Sequence, residues 1–284
     1  KGLSVDYTLG IDQYAQRGQT VIPPFAYNVS DGFFGGGATL DATRNGYASS
    51  AANNFFQINH ELNATYQIDI TKNIGSTTQV GYSVQYEKNN YALVQGRGLA
   101  PFITTANAAT TALPSADERS EISVSGYYVQ QNFKYKNFFF LSGAIRVDGS
   151  SVYDKSQRNQ VYAKASASYI VSEQDFWKRM SLSRIWNFAK LRIAYGQSGN
   201  LTGIGAYSRF NSYSGNSFVS RAALTSSTVL ANEFVKPERQ NEIEFGVELG
   251  FLQGRVNLQT NIYKKDVKDL LLNRFIAPTT GYSS

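Results

Sequence analysis

From Phe55 to Thr71 apolar and polar residues alternate almost without interruption. Phe56, Ile58, Leu62, Ala64, Tyr66, Ile68 and Ile70 fall on one parity; Gln57, Asn59, Glu61, Asn63, Thr65, Gln67 and Asp69 fall on the other. Side chains of a strand point to opposite faces with period two, so the stretch predicts a long ribbon with one apolar and one wet face. At 17 residues it is about three times the usual globular strand of roughly 5–6 residues. The same alternation returns in Leu3–Leu9, in Val80, Tyr82, Val84 and Tyr86, in Phe139–Val147, in Val161–Val171 and in Leu191, Ile193 and Tyr195. It is clearest in the hairpin Ile243–Phe251 and Val256–Ile262, turned at Gln253-Gly254. One irregular strand follows Arg119: Ile122 and Val124 share one parity, Tyr127, Val129, Phe133 and Tyr135 the other. A bulge near Gly126 would switch the faces; alternatively, the strand's upper part projects beyond a bilayer, where alternation is not required.

Tight connections at Lys72–Gly75, Lys134–Asn137 and Gln253-Gly254 alternate with long segments over about 12–54, 89–116 and 199–237. Ser172–Trp177 breaks the strand rhythm and reads as an N-capped helical turn with acids in its first turn. Short turns at one end and long loops at the other predict an antiparallel transmembrane β-barrel segment of about nine strands. The short turns would be periplasmic and the long loops extracellular. A β-sandwich would show shorter strands at even spacing and no such segregation.

Composition changes the picture little. Mean hydropathy is −0.32, but half of each barrel strand faces water, which dilutes the apolar signal. No run approaches the ~18 apolar residues of a membrane helix. The excess of aromatics, 19 Tyr and 18 Phe, suits interfacial girdles. There is no Cys, so neither disulfides nor Cys-based metal sites arise, and the single His60 excludes a His-rich metal site. The net charge is +6, but the basic residues are dispersed and nothing resembles an RNA-binding or helix-turn-helix motif, which points away from nucleic acid. Lys1 is not a start and Pro278–Ser284 reads as a loop, so the expectation is an internal piece of a longer protein.

Three ordered stretches resemble the SusC/RagA branch of TonB-dependent outer-membrane transporters. Arg146-Val147-Asp148-Gly149-Ser150-Ser151-Val152-Tyr153 is similar to R-x-D-G-S-S-x-F, with Tyr153 in place of Phe. Leu191–Asn200 is similar to L-R-x-S-Y-G-x-T-G-N, and Lys236-Pro237-Glu238-Arg239 through Lys268-Asp269-Leu270-Leu271 to K-P-E-x…K-D-L-L. Ser172-Glu173 through Phe176 resembles the S-E-x-x-F between the first two. The resemblance implies a 22-stranded barrel in the outer membrane of a Gram-negative cell. It also implies a plug domain and TonB-contacting segment, neither present here, and a SusD-like lipoprotein lid. Residues 1–284 would then be a partial barrel domain lacking plug and C-terminal strands. The implied function is import of oligosaccharides, or peptides, energised through TonB, with outer-membrane lipid around the wall and no cofactor. A plugless porin or adhesin would use the same wall.

No catalytic constellation emerges. His60 sits on the apolar parity, and Glu61, Asp69, Glu242, Glu244 and Glu248 share the lumen parity as polar lining. Asp148–Ser151 and Gly199-Asn200 read as turns. Ligand contact is expected from outward loops whose aromatics stand beside planar polar groups: Phe33 and Phe34 near Asp31, and Tyr207 and Tyr213 with Arg209.

Overall fold

The computed structural model describes residues 2–24 and 46–284. Nine long strands follow one another in hydrogen-bonded order: β1 (Gly2–Ile22), β2 (Tyr47–Thr71), β3 (Ile74–Arg97), β5 (Ala116–Tyr135), β6 (Phe139–Ser150), β7 (Asn159–Ile170), β8 (Trp186–Asn200), β11 (Glu238–Phe251) and β12 (Val256–Lys268). β4 (Thr111–Ala112) pairs back onto β3. β9 (Tyr213–Phe218) and β10 (Arg221–Ser226) form a separate hairpin. The order ends at β1 and β12 without closing. Among the described residues the one α-helix, α1 (Asp175–Arg179), is far too short to cross a membrane.

The chain divides into two compact units, Lys1–Leu9 with Asn59–Gln85 and Ile122–Ser284, and Gly10–Ile58 with Tyr86–Glu121. In the first unit the apolar parity is the exposed one. Leu62, Tyr66, Ile68 and Ile70 on β2, Tyr127, Val129, Phe133 and Tyr135 on β5, and Leu191, Ile193 and Tyr195 on β8 are all exposed. A water-soluble protein does not leave strand after strand of large apolar side chains uncovered. Lipid is the solvent that this face requires, and antiparallel ladders satisfy the backbone within it. In the second unit, Tyr14 and Phe55 stack at 4.9 Å and Tyr47 donates its hydroxyl to Gln95 Oε1 at 2.8 Å.

Three expectations change. The early strands are far longer than their alternating cores: β1 continues to Ile22, β2 begins at Tyr47 and β3 runs on to Arg97. At ~3.4 Å per residue, the 25 residues of β2 span about 85 Å of contour, well beyond the ~25 Å apolar band of such a barrel. No bulge interrupts β5 against β6, whose register is unbroken from Val124↔Ser150 to Tyr135↔Phe139. Ile122 and Val124 take the inward parity, half-buried, beside Ser123, which bonds Ser151 of the turn after β6. The helical turn also starts later than Ser172: Val171–Glu173 is a 3-10 turn, and Gln174 precedes α1 without a side-chain cap bond.

Candidate functional site

The motif-bearing residues meet at the outward end of β6, β7, β8 and β11. After β6 the chain folds back so that Ser150, Val152 and Tyr153 are fully covered. Ser151 locks this turn to β5 twice: its N–H donates to Ser123 O at 2.9 Å, and its Oγ accepts from Ser123 N–H at 2.9 Å. Tyr153 Oη donates to Asn200 O at 3.0 Å, tying the first motif to the second. Burial, the largest cause, pushes the Tyr153 phenol up to about 12. Arg146 Nε donates to Asp148 Oδ1 at 2.6 Å, and a Cβ at Gly126 would run into that carboxylate, so glycine is required there. Gly199 lies equally close to the Tyr162 ring. Arg239 of the third motif stacks over Tyr162 at 5.4 Å and donates to Val161 O at 2.9 Å. Glu238 Oε1 accepts from Leu271 N–H at 2.8 Å. The polar groups that make the motifs recognisable are thus engaged with one another.

Below this rim the inward face of β5–β11 carries two adjoining concavities. One, of about 420 Å³, is lined by Tyr128, Arg146, Asp148, Tyr162 and Lys164. The other, of about 470 Å³, is lined by Gln130, Ser142, Lys164, Glu242 and Glu244. Ion pairs hold most of the charge. Arg192 reaches Glu244 at 3.5 Å and Glu248 at 3.6 Å, and Lys190 reaches Glu248 at 3.4 Å. Lys164, shared by both concavities, has no ion-pair partner among the described residues. Alongside apolar surface, this lining presents hydrogen-bond donors and acceptors from Tyr128, Gln130, Arg146 and Lys164.

The outward segment between β8 and β11 contains the candidate ligand contacts. Tyr207 and Arg209 lie in a turn closed by Phe210 N–H donating to Tyr207 O at 3.0 Å, and Tyr213 opens β9. Tyr207 and Tyr213 are exposed. Arg209 is mostly covered: its guanidinium stacks on Phe210 at 4.2 Å and its Nη1 reaches Asp154 Oδ2 at 3.3 Å. The Asp154 carboxyl is held below its usual range, chiefly by the backbone and hydroxyl donors of Ser156, with Arg209 adding to them. Phe33 and Phe34 lie outside the described residues. His60 is on the lipid-side parity, where its Nδ1 is 2.8 Å from Tyr7 Oη. The sequence reading missed Lys164, Arg192 and Tyr128. Arg192 stands in the Leu191–Asn200 motif but carried no assigned role there, and Lys164 and Tyr128 showed only as polar residues on the wet parity, like ordinary lining.

Residues 2–284 match the family described as TonB dependent receptor-like, beta-barrel. TonB-dependent receptor P26 of Formosa agariphila is 26% identical over 232 residues, covering 80% of this chain and 23% of the relative. TonB-dependent receptor SusC of Bacteroides thetaiotaomicron is 24% identical over 267 residues, covering 88% of this chain and 26% of the relative. The RagAB peptide transporter structure superposes with a TM-score of 0.86 over 100% of this chain and 30% of its own, at 16% identity, which speaks to the fold. The chain spans about a quarter of the length of these curated relatives. It belongs to the TonB-dependent receptor β-barrel family, in its SusC/RagA-like branch, a family of outer-membrane transporters and receptors.

Proposed function

We propose, from membership of the TonB-dependent receptor family, that this chain forms part of the wall of an active outer-membrane importer. The imported solute is an oligosaccharide or a peptide, and uptake is energised through TonB. A SusD-like lipoprotein lids the outward end. Plug, TonB-contacting segment and closing strands belong to other parts of a longer protein, of which this chain is a partial barrel domain. The observation that carries the reading is the two-faced wall: an apolar exposed face backed by ion pairs and by Lys164, without an ion-pair partner among the described residues, on the inward face. RagAB, the structural neighbour, is a peptide transporter by its description, which supports the peptide alternative by fold alone. Tyr207 and Tyr213 are proposed as first contacts, Phe33 and Phe34 are proposed as further ones, and Arg209 fixes the turn that carries Tyr207.

Uptake of labelled oligosaccharides and peptides by cells carrying the full-length protein tests this. Uptake that needs TonB and disappears on deletion of the gene is the expected result. Passive, TonB-independent leakage of small solutes would replace the reading with a plugless porin. Surface adhesion without uptake would make it an adhesin.

A further inference from the structure

At the short-turn end the connection between β7 and β8 is not a tight turn but a structured segment over residues 171–185. It is placed on the lipid side of the wall by an irregularity in β8. Phe188 pairs with Gly250, yet Phe251 pairs with Trp186, so Asn187 is an extra residue. That insertion turns Trp186 onto the outward parity of Phe251, Phe245 and Ile243. Trp186 stacks on Phe251 at 5.8 Å, and Trp177 of α1 meets Trp186 edge-on at 4.7 Å. Trp177 Nε1 also donates to Trp186 O at 3.1 Å. The helix is therefore docked against the same face that the strands turn to lipid, at the level where that face ends.

Docked there, the segment leaves Phe176, Met180, Leu182 and Ile185 exposed, and Leu252 of the neighbouring turn with them. Leu252 N–H donates to Ile185 O at 2.8 Å, so the two connections form one surface. Lys178 is paired with Glu173 at 2.8 Å. Arg179 and Arg184 are exposed and have no ion-pair partner among the described residues. Apolar side chains continuous with the lipid-facing band, interleaved with unpaired guanidinium groups, are the composition of an interfacial anchor.

We propose that residues 173–185 form a binding site for an anionic glycerophospholipid of the leaflet at the short-turn side. Phe176, Met180 and Leu182 insert beside the acyl chains, and Arg179 and Arg184 take the phosphate of the headgroup. Guanidinium groups suit this because their donor fork matches phosphate oxygens.

The test uses the full-length protein in mild detergent, with retained lipid counted by native mass spectrometry. Phosphatidylglycerol and phosphatidylethanolamine are added separately. Arg179→Gln and Arg184→Gln are expected to weaken phosphatidylglycerol retention about fivefold each, and phosphatidylethanolamine clearly less, because its ammonium group already offsets the phosphate charge. Equal loss of both lipids, or no loss of either, overturns the proposal. A second measurement does not depend on charge. This chain has no Cys, so a bimane label on Leu182→Cys is unique within it. In bilayers of brominated phospholipid the label is expected to be quenched in the otherwise unchanged protein, and an unquenched label overturns the proposal.

Discussion

Substituting arginine at two consecutive positions of β8 tests the assignment of the two faces. Ile193 points outward, is half exposed, and lies between Ala167 and Phe245. Its partner Phe245 lies six ladder positions from Phe251, the partner of Trp186, or ~20 Å along the strand at ~3.4 Å each. A strand tilt of ~45° makes that about 14 Å of depth, near the middle of an apolar band ~25 Å tall. Ile193→Arg buries a charge in lipid well away from both interfaces and should cost about 2–3 kcal/mol. Ala194 points inward, opposite Glu244 on one side and Ser166 on the other. Ala194→Arg places its guanidinium in the wet lumen beside a carboxylate and should be within about 1 kcal/mol of neutral. The urea midpoint for folding of the full-length protein into phospholipid vesicles reads both. Equal costs, or the larger cost at Ala194, would refute the face assignment, since a slip of one residue exchanges every side chain between faces.

The rim yields three further expectations. Tyr153→Phe removes the donor to Asn200 O and should lower stability by about 1 kcal/mol, read as a lower unfolding midpoint together with faster proteolysis between Tyr153 and Asn159. Alkali should act at the same place: because the folded phenol titrates near 12, above its ordinary 10, its stabilising contribution is complete below pH 10 and lost as pH rises toward 12. That window amounts to about 2–3 kcal/mol, and Tyr153→Phe should flatten the corresponding part of a melting-temperature profile; an unchanged profile would contradict the linkage. Gly199→Ala drives a methyl into the Tyr162 ring and should cost about 1–3 kcal/mol, with much of the loss recovered in the double variant carrying Tyr162→Leu; additive losses would argue against the close approach.

The faces, the short turns and the end at which long loops gather were legible in the sequence, because lipid on one side and water on the other impose a strict period of two. Where that constraint lapses, so does the signal. Residues 12–22 of β1 are mostly polar, with Asp12, Gln13, Gln16, Arg17 and Gln19, and their strand is visible only in the structure. The β9–β10 hairpin was hidden for a different reason. Its turn places Val219 and Ser220 at φ of 51° and 61°, where Asn-Gly is the usual signature. Of the two readings of the irregular strand, the bulge near Gly126 fails: the glycine admits the Asp148 carboxylate and the β5–β6 register is unbroken there. The rim itself depends on pairs such as Tyr153 with Asn200 and Arg239 with Val161, separated by dozens of residues. No local pattern announces such contacts.

That self-contained rim has a consequence for how relatives diverge. The motif side chains hold β6, β7, β8 and β11 together chiefly through bonds among themselves, and the segment between Asn200 and Lys236 meets this frame through Arg209 on Asp154 and Thr202 N–H on Asn200 Oδ1. On the reading proposed above, this segment is an interchangeable cassette clipped into that frame. Selection could then rewrite residues 201–235, hairpin included, while the frame keeps its register and those two contacts. A related protein's segment grafted between those two anchor points should transplant the donor's preference and leave the wall as it stands.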